Sequence, residues 1–85
     1  MVYLVLEPNA VQEIIEIAKK TGAAVWVGSD AMTHEEQYKI APTELNLTRF
    51  AYPLSGADKE TIEEALDTVK LHHPEENIWV QYVSP

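Results

Sequence analysis

Residues 2–27, VYLVLEPNAVQEIIEIAKKTGAAVWV, decide the fold. They open on Val2 to Leu6, a run apolar on both parities (Val2, Leu4 and Leu6; Tyr3 and Val5). Such a run suits a central strand. Pro8-Asn9 ends it, and Asn9 is a natural N-cap with Gln12 as its capping-box partner. From Ala10 the period changes. Val11, Ile14, Ile15 and Ala18 recur at i, i+3, i+4 and i+7, and Ala10 and Ile17 widen the stripe. Gln12, Glu13, Glu16, Lys19 and Lys20 fill the other face, and Glu16 and Lys20 form a favourable i,i+4 pair. Two lysines in the last turn and Gly22 beyond it complete a helix end. Ala23 to Val27 then form a second apolar strand. Strand, helix and strand of these lengths imply a parallel pair with a right-handed connection.

Downstream, residues 28–44 are irregular and long for a connection in a small domain, which marks them as a functional or mobile segment. Within them Thr33-His34-Glu35-Glu36 has capping-box form, so a turn or two of helix is expected through Gln37 to Lys39, ended by Pro42. Leu45 to Leu54 read as a third strand, with Pro53 limiting its pairing. Ser55-Gly56-Ala57-Asp58 has the form of a second capping box. It opens a helix with the stripe Ile62, Ala65, Leu66 and Val69, ending near Lys70 or Leu71, with His72-His73-Pro74 leading out. Ile78 to Val83 are the last strand. The order is β-α-β, long loop, β-α-β, and the simplest packing for it is one domain over residues 1–85. That packing is an α+β, split βαβ, ferredoxin-like sandwich: four antiparallel strands in order 4-1-3-2 with both helices on one face.

Composition bounds the function classes. The 85 residues are 46% hydrophobic, enough for a real core of marginal stability. Six basic residues against 14 acidic give a net charge of −8. Such a surface repels nucleic-acid phosphates and anionic membranes and favours solubility, cations or basic partners. With no cysteine, disulfides, thiolate nucleophiles and cysteine-ligated metals are excluded, and a cytoplasmic setting fits. The apolar N-terminus lacks a basic flank and is too short for a signal peptide or membrane span.

Three surfaces stand out. A sandwich with helices on one face leaves the other sheet face open, and Tyr3, Val5, Trp26, Trp79 and Val83 share the parity expected there, with Arg49 and Gln81 among them. Aromatic residues on an open sheet stack bases in RNA-recognition domains, but the basic surface and the RNP1 pattern are missing. The expected use is self-association, as a homodimer, or partner docking. Next, Glu60, Glu63, Glu64 and Asp67 lie within one arc of the second helix, with like-charge i,i+4 pairs that folding does not require. A basic protein partner explains them; solubility alone is the plainer explanation. Lastly, His34, Glu35, Glu36 and Tyr38 gather chemistry-bearing side chains in loop 28–44, and His72-His73 with Glu75-Glu76 follow the second helix. No H-x-x-x-H, H-E-x-x-H or EF-hand spacing occurs, and the glycines lack phosphate-loop spacing, so no metal site, cofactor or catalytic residue is assigned. The sequence thus points to a small acidic protein-binding module, either a homo-oligomer or an inhibitor or adaptor of a basic protein. The alternative is a small enzyme or ligand-binding domain with its site between loop 28–44 and the open sheet face.

Overall fold

The computed structural model of the chain describes residues 1–33, 35–37 and 46–81. Strand β1 (Val2–Val5) leads through a 3-10 turn (Pro8–Ala10) into helix α1 (Val11–Thr21) and strand β2 (Ala24–Val27). After the long connection come β3 (Leu47–Arg49), helix α2 (Lys59–His72) and β4 (Ile78–Val80). All three pairings are parallel, and the order is β3-β2-β1-β4. The parallel pair expected of the first β-α-β unit is therefore present. The antiparallel ferredoxin-like sandwich, its order 4-1-3-2 and its single helical face are not: the chain forms a four-stranded all-parallel α/β sheet.

The physical reason lies in the two apolar parities of the central strands. Val5, Val25 and Val27, with partly buried Tyr3 and Leu47, pack against Val11, Ile14, Ile15 and Ala18 of α1. Val2, Leu4, Leu6, Ala24 and Trp26 pack on the other side with Phe50, Leu54, Ala65 and Val69, the last two from α2. Both faces of β1 and β2 need a cover. Right-handed crossovers running outward from β1 to β3 lie on one face. Ala31 and Met32, which open the β2–β3 connection, join the α1 cluster accordingly. The return from β3 to a strand beside β1 runs in the opposite sense, so α2 lies on the other face. A sheet with one open face would have left one of these apolar rows in water.

The helix ends follow local chemistry, with two corrections. Gly22 takes a left-handed conformation (φ 75°) and its amide donates to Ala18 O at 2.8 Å, as its C′ position requires. Asn9 does not cap α1: the 3-10 turn places Ala10 at that position, without a side-chain cap. Ser55 does not cap α2 either. Asp58 is the N-cap, accepting from Thr61 N at 2.8 Å, and this bond lowers its pKa from the usual carboxylate value. In the connection, Thr33 and Glu36 form the expected reciprocal box, Thr33 N donating to Glu36 Oε1 (3.3 Å) and Glu36 N to Thr33 Oγ1 (3.1 Å). The third strand is shorter than expected, and Leu45, Lys39, Pro42 and Val83 lie outside the described residues.

Candidate functional site

Open parallel sheets present ligands beyond the carboxyl ends of their strands, at the point where the strand order reverses. Here that point lies between β1 and β4, and side chains of the chain itself fill it. Gln81, just past β4, accepts from the amides of Leu6 (3.0 Å) and Glu7 (2.9 Å) through Oε1 and donates to Asn9 Oδ1 at 3.2 Å. The amides of Leu6 and Glu7 are thereby satisfied within the chain. Further along the same end, Ser55 Oγ donates to Glu7 Oε2 at 2.6 Å. Asp30 accepts from the amides of Leu54 (3.1 Å) and Ser55 (3.2 Å). This clasp draws residue 54 against Gly28 so closely that a Cβ there would sit 2.9 Å from Leu54 N. Arg49 is tied down as well, donating through Nε to Met32 O (2.6 Å) and through Nη2 to Ser29 O (2.7 Å). A hollow of about 540 Å³ remains at this end, between Tyr52, Pro53 and the first turns of α2.

The opposite situation holds along β4. It is the terminal strand, so one edge faces away from the sheet. Trp79 pairs in register with Tyr3 and so points to the α1 side, but α1 packs on β1 and β2. Trp79 joins neither core cluster and stays 41% exposed, its ring edge-on to Tyr3 at 5.7 Å. On the other face of β4, a groove of about 630 Å³ separates the strand from α2. Leu66, Pro74, Ile78 and Val80 give it apolar walls, and Lys70, His73, Glu76 and Asn77 add polar groups.

The groove's inner end is braced by one network. Trp26 Nε1 donates to His73 Nε2 at 3.3 Å, while His73 Nδ1 lies 2.8 Å from Glu76 Oε2. The indole has only a proton to give, so Nε2 is the accepting nitrogen and Nδ1 carries the proton toward the carboxylate. Glu76 also receives the N-terminal ammonium at 3.2 Å. His73 first, and the ammonium second, hold its pKa below the usual glutamate value. His72 is engaged separately, its Nδ1 2.9 Å from Thr68 O within the helix. The two adjacent histidines do not converge on a ligand.

The expected aromatic face is thus divided. Tyr3 and Trp79 share the α1 side of the sheet. Trp26 is on the other side, 7% exposed beneath the end of α2 and stacked near Phe50 (5.3 Å). Val5 is buried under α1. Among the described residues both faces of the central strands are covered, and Trp79 is left exposed at the β4 margin. The acidic arc of α2 is as expected: Glu60, Glu63, Glu64 and Asp67 are all exposed, and Glu63 Oε1 lies 3.9 Å from Lys59 Nζ, both side chains largely in water. Leu71 extends this face, 82% exposed. Of the loop candidates, Glu35 is exposed and Glu36 serves the capping box, whereas His34 and Tyr38 lie outside the described residues. Among the described residues no three histidines or carboxylates are arranged to hold a metal ion, and no helix is long and apolar enough to cross a membrane.

The sequence reasoning missed the Gln81 plug and the α2–β4 groove. Neither has a local signal, because each joins residues far apart in the chain. Comparison with protein-family models, with curated proteins and with solved structures found no match.

Proposed function

We propose that the protein is an acidic protein-binding module, of cytoplasmic setting, that engages a basic partner through the β4 margin. One observation carries this reading: Trp79 is 41% exposed on the terminal strand of a sheet whose central strands are buried on both faces. All-parallel sheets are ordinarily covered on both sides, and tryptophan is enriched among the residues that anchor protein interfaces. The charge of −8 directs the choice of partner, because a second copy carries the same charge and a basic protein the opposite one. The acidic arc on α2 adds to that field. A small-ligand site has less support, since Gln81 already satisfies the amides at the crevice where such sheets bind ligands.

The test is site-specific photo-crosslinking in extract of the native host, with the reactive residue in place of Trp79 or, as a control, Glu13 on the exposed face of α1. A basic protein joined at position 79 and not at 13, with the adduct fading as salt rises, is the expected result. Adducts of the chain only with itself, or equal labelling from both positions, would overturn the proposal.

A further inference from the structure

The β4 margin has more detail than an exposed tryptophan. Val2 N donates to Asn77 O (2.9 Å) and Gln81 N to Leu4 O (3.0 Å), so residues 77, 79 and 81 turn their backbone groups toward β1. Strand alternation then directs the amides and carbonyls of Ile78 and Val80 outward, away from the sheet. Natural edges of this kind are commonly blunted by proline, lysine or a bulge. The stretch Ile78–Val80 is short, at three residues, but carries no proline, lysine or bulge, and its pairing with β1 is in continuous register. An edge of this type accepts another strand by main-chain hydrogen bonding.

We infer that this edge takes an extended, basic segment of a partner protein as a fifth strand, its side chains divided alternately between the α2–β4 groove and the Trp79 face. The inference rests on the protein-binding reading above and specifies its mode. An incoming strand has a side-chain period of two, so every second residue enters the groove beside Leu66, Pro74, Ile78 and Val80 and should be apolar. The intervening residues fall on the side of Trp79 and Tyr3. A lysine or arginine there meets an indole face, where a cation is attracted by the ring quadrupole. The overall charge of −8 favours basic residues in the same segment. A second copy of this chain is the poorer occupant. Its own edge, Asn77 to Gln81, offers no basic residue to set against Trp79, and it is preceded by Glu75 and Glu76.

The probe is a capped synthetic peptide of about eight residues alternating valine and lysine, the length of an ordinary strand. Its controls are a peptide of the same composition with lysines and valines in separate blocks and one alternating valine with glutamate. Titration calorimetry should show the alternating basic peptide binding at least about tenfold more tightly than either control, a difference of roughly 1.4 kcal/mol. Val80→Pro removes an outward amide and keeps the strand conformation of Trp79, and it should weaken the alternating peptide by about tenfold or more. If circular dichroism shows that this variant does not fold, Trp79→Ala, which leaves the backbone intact, is expected to weaken binding about three- to tenfold. Equal binding of the blocked peptide, or binding untouched by the folded edge variant, would overturn strand addition. Concentration-dependent dimerisation abolished by Val80→Pro would assign the edge to a second copy and refute the inference as well. Persistence of the position-79 crosslink to a basic protein under any of these failures would separate the mode of binding from the protein-binding reading itself.

Discussion

Replacing Trp26 with phenylalanine tests the network that anchors the end of α2. The substitution deletes the indole N–H that reaches His73 Nε2 at 3.3 Å, and shortens a ring that is 7% exposed beneath Phe50 and the two histidines. The lost hydrogen bond contributes about 0.5–1.5 kcal/mol net. The smaller ring leaves part of a tightly lined site empty, at about 1 kcal/mol on the scale of large-to-small core changes. Together these amount to about 2 kcal/mol, a large fraction of the stability of a small domain. For a chain of 85 residues, that lowers the thermal midpoint by roughly 8–16 °C. Urea unfolding followed by far-ultraviolet circular dichroism gives the free energy, while Trp79 remains as a fluorescent reporter. A double-mutant cycle of Trp26→Phe with His73→Ala isolates the pair, with an expected coupling of about 0.5–1.5 kcal/mol. Nitrogen NMR of the imidazole should place the proton of native His73 on Nδ1. A proton on Nε2, together with a coupling of zero, would refute the reasoning.

Three further outcomes follow from the same geometry. Gly28→Ala sets a Cβ 2.9 Å from Leu54 Cβ and from Leu54 N, and should destabilise by about 1–3 kcal/mol in chemical unfolding while loosening the Asp30 clasp, seen as faster amide exchange at Leu54 and Ser55. Gln81→Ala strips the partner from the amides of Leu6 and Glu7 and should cost about 2 kcal/mol in the same assay, with those two amides exchanging faster. The folded-state pKa values of Asp58 and Glu76 are both depressed, so each carboxylate stabilises the fold at neutral pH. That contribution is lost as pH falls from the usual carboxylate range through the lowered values, and an acid titration of the thermal midpoint should be shallower in Asp58→Asn and in Glu76→Gln.

Much of the local structure was legible because each signal belongs to one element. The stripe Val11, Ile14, Ile15 and Ala18 marks α1 by its own period, Gly22 ends it, and Thr33 with Glu36 forms the expected box. The capping mistakes were also local. Asn9 and Ser55 have the right chemistry at the right spacing, but a 3-10 turn shifts the first cap, and Glu7 holds the second side chain. The candidate site was legible only in part. Exposure of the α2 carboxylates follows from the position of the helix stripe, whereas separation of Trp26 from Trp79 depends on which face each strand turns to which helix.

By itself the sequence determined the elements, their apolar faces and the parallel pairing of the first two strands. The double apolar parity of Val2 to Leu6 and Ala23 to Val27 already implied cover on both sides, and it is incompatible with an open sheet face. Tertiary structure alone decided where β4 lies. Periodicity records which side of an element avoids water, not which neighbour supplies the cover. The row of Val2, Leu4, Ala24 and Trp26 is buried only when α2 crosses back over the sheet. That crossing sets β4 beside β1 and leaves the Trp79 edge at the margin.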